Sequence, residues 1–163
     1  MQRIILICRH AEAQDPFPLQ PDFERDLTTL GSQQARETGV WLRENFTKVD
    51  KILASPAKRT AQTARVLASK LYFAPEEVDY QPDLYNAREA ELLNQLGSLT
   101  AEVKSVLLVG HNPGVTRLVR EITGQMVGYL DTAQVVGVEI NLEKWEDLHI
   151  TTGCIAHSSG QQV

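Results

Sequence analysis

Cysteine is nearly absent from this chain of 163 residues: it has only Cys8 and Cys154. Neither has the paired spacing of a zinc site or a redox motif, and each falls in an apolar, strand-like context, so both are expected to be buried thiols in a reducing compartment. Long apolar runs are missing too. None approaches the roughly 20 residues that a membrane-spanning helix needs, so no membrane partner is expected. Met1-Gln2-Arg3 followed by Ile4-Ile5-Leu6-Ile7-Cys8 lacks the apolar length and cleavage site of a secretory leader, which points to a cytoplasmic protein. Surplus positive charge is also lacking: 16 Lys and Arg against 21 Asp and Glu give a formal net charge of −5. Nucleic acid rewards the opposite balance and is not an expected partner. Any anionic ligand must be held by local cations.

What is present is an average globular composition, 42% apolar and 23% charged, on a chain long enough to bury a self-sufficient core. With no internal repeat, low-complexity tract or linker-like composition shift, one domain over residues 1–163 is expected. Arg3 to Cys8 is apolar on both faces, as a central parallel strand covered by helices should be. Ala11 to Leu27 carries Pro16, Pro18 and Pro21 and reads as a long surface loop. From about Thr29, Ala35, Gly39, Leu42 and Phe46 recur on one helix face. Lys51 to Ala54 is a second strand. Ser55-Pro56 then reads as a helix start, with the serine as N-cap, ahead of a small-residue stripe of Ala57, Ala61, Ala64, Ala68 and Leu71.

Val78 to Tyr80 makes a short strand, and Leu92, Leu93, Leu96 and Leu99 mark a helix. Val106 to Val109 is the strongest strand in the chain; after it Asn112 is placed to cap a helix with the stripe Val115, Leu118, Val119 and Ile122. The tail alternates Val136, Val138, Ile140 and Leu142, then runs strand-like from His149 to Ala156, as a hairpin-linked edge would. The fold class is therefore three-layer α/β: a mostly parallel central sheet, helices on both faces and an antiparallel edge.

Three strings carry chemistry. Arg9-His10, Ser55-Pro56-x-x-Arg59 and Gly110-His111-Asn112 each follow an apolar strand, the position where open α/β sheets build ligand sites. Arg9 could form a surface ion pair, but the end of a fully apolar strand is an awkward place for one. His111 alone could be a core histidine bonded to a carbonyl. Arg59, in the first turn of a helix, opposes the macrodipole unless an anion is present. Together, two arginines and two histidines converge on something anionic. His149 and His157 have no partner spacing and are assigned no role.

These strings resemble the histidine phosphatase, or phosphoglycerate-mutase-like, superfamily. The wider set, Arg9-His10-Ala11-Glu12-Ala13, Arg25-Asp26-Leu27-Thr28 before Gly31, Ser55-Pro56-x-x-Arg59-x-x-Gln62-Thr63 and Gly110-His111-Asn112-Pro113, resembles its small SixA-type phosphohistidine phosphatases. The resemblance implies that His10 attacks phosphorus and becomes a phosphohistidine intermediate, with no metal and no cofactor. Arg9, Arg59, His111 and Asn112 would join His10 in binding the phosphate. His10 must present a neutral nitrogen, so its other ring nitrogen should donate to a fixed acceptor such as a backbone carbonyl. A bound phosphate would favour charged His111. Ester-cleaving members carry a glutamate acid in the segment matching Asp83-Leu84-Tyr85-Asn86-Ala87-Arg88. Here Asp83 is the candidate donor, alongside Glu12, Asp15 or Glu24 of the long loop. A missing acid suits a phosphorus–nitrogen bond, whose imidazole can leave already protonated.

The implied partner is a phosphohistidine-bearing protein such as a phosphorelay domain, or else a small phosphorylated molecule. The alternatives are a phosphomonoesterase or mutase of the same superfamily and a non-catalytic phosphoprotein-binding module. A metallohydrolase with His10 and His111 as ligands lacks an accompanying Asp or Glu motif. A cysteine phosphatase on Cys8 lacks a loop between thiol and arginine.

Overall fold

The computed structural model describes residues 1–160; residues 161–163, the end of the span expected to form one domain, lie outside the described residues. Among the described residues six strands form one sheet: β1 (Gln2–Arg9), β2 (Lys51–Ala54), β3 (Asp79–Tyr80), β4 (Ser105–Gly110), β5 (Val135–Asn141) and β6 (Cys154–Ser158). Their order is β3-β2-β4-β1-β5-β6, with the first four parallel and β5 and β6 antiparallel to their neighbours. Among the described residues four α-helices cover it: α1 (Thr29–Asn45), α2 (Lys58–Lys70), α3 (Glu89–Gly97) and α4 (Gly114–Thr123). The expected three-layer class is the one observed.

The central strands are apolar on both faces because alternate residues enter two different cores. Ile5 and Ile7 of β1, with Val106 and Leu108 of β4, pack on the side of α3 and α4 with Leu92, Leu96, Val115 and Leu118. Leu6 and Cys8, with Leu107 and Val109, pack on the other side with Leu42 of α1 and Ala64, Leu67 and Ala68 of α2. Small alanines bring α2 close to the sheet, as the stripe predicted. Thr28 caps α1, its hydroxyl accepting from the Gly31 amide at 2.9 Å. A Cβ on Gly31 would fall 2.0 Å from the Glu12 carbonyl oxygen, so only glycine lets this helix start press against the first residues of the loop after β1.

Four local expectations are corrected. Ser55 does not cap α2, whose N-cap is Ala57; the Ser55 hydroxyl instead accepts from the Ala57 amide at 3.2 Å and faces His111. Asn112 does not cap α4 either, since Pro113 holds that position, and its Oδ1 accepts from the Thr116 hydroxyl at 2.7 Å. Cys154 is exposed, because it lies on the outer strand β6, whereas Cys8 is buried as expected. The tail forms the expected antiparallel edge, with β6 paired to β5, but the strand-like run from His149 does not begin as a strand. Trp145–Ile150 form a 3-10 turn that buries Trp145 and Leu148 in the α3–α4 core, so a spacing of three overrides the strand-like composition, and β6 begins only at Cys154.

One buried charge serves the fold rather than a ligand. Arg3, 1% exposed, donates through Nε to Leu142, through Nη1 to Ala101 and Val103, and through Nη2 to Glu143, all backbone carbonyls at 2.8–3.1 Å. It also lies 5.3 Å from the Trp145 ring centroid. Arg3→Met should leave those carbonyls without a donor and cost about 3 kcal/mol. The denaturant midpoint measures this; an unchanged midpoint would show that the guanidinium ties nothing down.

Candidate functional site

Strand register places the key side chains before any of them makes a contact. Arg9 pairs with Gly110 across β1 and β4, and Ala54 pairs with Val109 across β2 and β4, so the three parallel strands end level. The ladder runs one step further: the His10 amide donates to the Gly110 carbonyl at 3.0 Å and the Ser55 amide to the Val109 carbonyl at 3.2 Å. His10, Ser55 and His111 therefore emerge side by side at the carboxyl edge. The two imidazoles lie 5.4 Å apart, centroid to centroid.

A cavity of about 450 Å³ opens above them, lined by Arg9, His10, Glu12, Ala13, Asp22, Arg25, Arg59, Asn86, His111, Asn112 and Thr132. It brings together all five residues expected to hold phosphate. Arg59 reaches it from the first turn of α2 and is 3% exposed; His10 is 8% exposed and His111 5%. Arg9 donates to the Leu130 carbonyl at 3.1 Å, and Asn112 Nδ2 donates to the same oxygen at 2.9 Å. The Nε atoms of Arg9 and Arg59 are buried without an acceptor among the described residues. Buried donors of this kind cost stability unless something supplies an acceptor.

The hydrogen bonds fix both tautomers. A carbonyl can only accept, so His10 Nδ1 carries the proton it donates to the Ala11 carbonyl at 2.7 Å, which leaves the Nε2 lone pair free. A guanidinium can only donate, so His111 Nδ1 accepts from Arg59 Nη2 at 3.3 Å and its Nε2 donates to the Ser55 hydroxyl at 2.8 Å. Burial, reinforced by Arg59, Arg9 and Arg25, pushes the His10 pKa down to about 4, against a smaller upward pull from its bond to Ala11. Burial and then Arg59 push His111 down to about 3. Both imidazoles are thus neutral at physiological pH in the ligand-free protein. For His10 this is the state expected of a nucleophile. For His111 it means that the ring is uncharged near neutral pH unless a nearby anion raises its pKa.

The long loop contributes more than the sequence suggested. Its 3-10 turn, Asp22–Glu24, lowers Asp22 onto Arg59: Asp22 Oδ2 accepts from Arg59 Nη2 at 3.0 Å and the Asp22 carbonyl from Arg59 Nη1 at 2.9 Å. Arg25 Nε donates to Asp22 Oδ1 at 2.9 Å, and the Tyr85 hydroxyl donates to Oδ2. Tyr85 stands edge-on to His111, 5.6 Å between centroids, and to Phe23, 5.1 Å. The Tyr85 hydroxyl and Arg59 hold the Asp22 pKa down to about 2.

The loop's ends are tied to α2. Gln62 accepts from the Leu27 amide at 2.9 Å and donates to Asp26 at 3.0 Å, and the Thr63 hydroxyl accepts from the Ala11 amide at 3.0 Å. These contacts give Gln62 and Thr63 a physical role beside Arg59. Asp22, Arg25, Ser55 and Tyr85 join the site without a binding role assigned to them from sequence, although Ser55 and Arg25 lie within the strings that carry the resemblance. Arg25 had a usable signal, a third arginine in a loop bound for the sheet's carboxyl edge.

Asp83 is exposed on a 3-10 turn (Pro82–Leu84) and does not line the cavity. Of the loop acids named with it, Glu12 lines the cavity, where its Oε2 accepts from the Thr28 hydroxyl at 2.7 Å, while Asp15 and Glu24 do not. Burial drives the Cys8 thiol pKa up to about 12, so it is no nucleophile at neutral pH. No helix among the described residues is long and apolar enough to cross a membrane.

The chain is similar to known proteins in both sequence and fold. Residues 5–91 match the family model described as Histidine phosphatase superfamily (branch 1). Uncharacterized protein ML1117 of Mycobacterium leprae (strain TN) is 32% identical over 119 residues, 71% of either chain. Phosphohistidine phosphatase SixA of Escherichia coli (strain K12) is 29% identical over 140 residues, 84% of this chain and 85% of that one. The solved structure of the protein histidine phosphatase SixA complexed with tungstate matches with a TM-score of 0.79 at 28% identity, covering 97% of this chain and 96% of the other.

The electrostatics make a direct prediction. In ligand-free protein the ring resonances of His10 and His111 should stay those of neutral imidazole as pH falls from 8 to 5, and protonate only nearer pH 4 and 3. Saturating inorganic phosphate should raise the His111 midpoint. A midpoint near 6.5 for either ring without ligand would contradict the burial argument.

Proposed function

The chain belongs to the histidine phosphatase superfamily and is a phosphatase; from that premise we propose that it hydrolyses phosphohistidine carried by another protein, through a phosphohistidine formed on His10. The observation that carries the reading is the fixed tautomer of His10. Its Nδ1–H is committed to the Ala11 carbonyl, so the Nε2 lone pair is the one available to the cavity. That lone pair forms a bond to phosphorus while the substrate's P–N bond breaks and its electron pair returns to the leaving nitrogen. Water then attacks the same phosphorus, and the His10–P electron pair returns to Nε2. Because Nδ1 keeps its proton throughout, His10 departs as neutral imidazole and needs no acid for the second step.

Arg9, Arg59 and Arg25 around the cavity supply guanidinium donors for the non-bridging oxygens, where charge develops during phosphoryl transfer. Raising His111 from about 3 to above neutrality takes roughly 5 kcal/mol. A phosphate dianion in contact contributes on that order at an effective dielectric of about 20, so His111 becomes a charged donor only when substrate is bound. The similarity to a structure holding tungstate, a tetrahedral oxyanion, supports this use of the cavity.

The leaving group decides between phosphohistidine and a phosphate ester. An alkoxide needs a proton. Asp83 is away from the cavity, Asp22 is held ionised, and Glu12 is engaged by Thr28. An imidazole already protonated on its far nitrogen needs none. Glu12, a carboxyl on the cavity wall, is the observation that favours the second reading, a small-molecule phosphomonoesterase.

The test is a comparison of purified protein on a phosphohistidine-bearing protein and on a panel of phosphate esters, with chelator present. The phosphohistidine substrate should be preferred. His10→Ala should lose at least about a thousandfold in kcat/KM and accumulate no phosphoenzyme. Faster hydrolysis of a sugar phosphate would move the assignment to the esterase reading, and an active His10→Ala variant would remove the covalent mechanism.

A further inference from the structure

We propose that Asp22 selects substrates by charge: its carboxylate, fixed at the mouth of the cavity, faces the departing group and favours a cationic leaving group over an anionic one. The proposal rests on the phosphohistidine reading and adds to it the residue that discriminates among leaving groups.

Geometry places Asp22 where such discrimination occurs. His10, 8% exposed, lies at the cavity floor, so an in-line attack from Nε2 drives the leaving group outward. The Arg59 side chain is 4% exposed and the Asp22 side chain 47%, which sets the carboxylate between the deep cations and solvent, along the exit. Its position is not that of a loose surface acid. Asp22 accepts from Arg59 through both its carbonyl and its carboxylate, from Arg25 at 2.9 Å, and from the Tyr85 hydroxyl. These donors come from α2, the loop itself and the segment after β3, so the charge is located by three parts of the chain.

A carboxylate beside a phosphate site is costly unless it serves something, because it repels the substrate's own anion and competes for Arg59. The competing cost is smallest for a substrate that carries positive charge next to its phosphoryl group. Phosphohistidine protonated on the ring nitrogen remote from phosphorus is such a substrate. Asp22 holds that proton in place through charge. When the P–N bond breaks and its electron pair returns to the bonded nitrogen, the departing group is then neutral imidazole rather than imidazolate. The same carboxylate opposes esters whose alcohol portion carries a carboxylate or a second phosphate. Since Asp22 stays ionised down to about pH 2, it acts through charge and not by donating a proton.

The experiment measures kcat/KM of wild type and Asp22→Asn on phosphoimidazole and on two aryl phosphates matched in size, para-trimethylammoniophenyl and para-carboxyphenyl phosphate. In the variant the preference for the cationic over the anionic aryl phosphate should fall about tenfold, and the preference for phosphoimidazole over the anionic one should fall with it. Tyr85→Phe, which removes the hydroxyl that anchors the carboxylate, should move both ratios the same way by a smaller factor. Equal changes on all three substrates would overturn the proposal and leave Asp22 as a brace for Arg59. A wild type that cleaves the aryl phosphates but not phosphoimidazole would sink the phosphohistidine reading, while the aryl pair would still decide the role of Asp22.

Discussion

Arg9 stands opposite Gly110 and Ala54 opposite Val109, so β1, β4 and β2 stop on one line, and everything the site does follows from that shared ending. Parallel register here is enforced from both faces. Each central strand sends alternate residues into two separate cores, and a slip of one residue would exchange the sets: Ile5 and Ile7 would meet α1 and α2, and Leu6 and Cys8 would meet α3 and α4. A buried strand with polar ends has no such alternative that keeps its first polar residue at the edge. The apolar runs that build the core thus also level the strand ends, and the residues that follow them, His10, Ser55 and His111, become neighbours without any contact of their own having to bring them together.

Once gathered, the groups are controlled by burial more than by pairing. The chain as a whole is acidic, yet the cavity holds Arg9, Arg25 and Arg59 around two imidazoles. Burial and positive neighbours act in the same direction on a histidine, and both favour the neutral ring. That outcome separates two roles for one residue type. His10, with its Nδ1 proton tied to a backbone carbonyl, keeps a lone pair on Nε2. His111, between the Arg59 guanidinium and the Ser55 hydroxyl, has both ring nitrogens engaged, and in the proposed reaction it gains charge only beside the substrate's phosphoryl group.

Much of this was legible in the sequence because short-range rules govern it. Strand, turn and first helical residue are contiguous, so Arg9-His10, Ser55 to Arg59 and Gly110-His111-Asn112 announced their positions through local pattern. The expected backbone acceptor of His10 proved to be the carbonyl of the next residue, Ala11. What escaped is long-range or irregular. Asp22 and Tyr85 are separated by 63 positions and meet through a proline-bearing loop with no hydrophobic period to read. Ser55 carried a valid cap signature, but its hydroxyl has a competing use at His111, and tertiary contact prevailed over local propensity. Cys154 shares its strand-like context with Cys8; exposure depended on which strand became the sheet's outer edge, a property of topology rather than composition.

Helix α2 explains why loop and floor act as one unit. Arg59, Gln62 and Thr63 lie at spacings of three and four, one face of the helix a turn apart. The first points into the cavity and onto Asp22. The other two hold the loop's exit at Leu27 and its entry at Ala11. The Thr63 hydroxyl also donates to the Arg59 carbonyl at 2.8 Å, so the residue that anchors the loop braces the turn that carries the guanidinium. Any rotation of α2 against the sheet would move the Arg59 guanidinium and both ends of the loop together. The alanine stripe that packs α2 closely on the sheet opposes such rotation, because Ala64 and Ala68 leave no space for the helix to turn into. Close packing on one side of the helix therefore sets the placement of Asp22 on the other, and the charge at the mouth is positioned by the core.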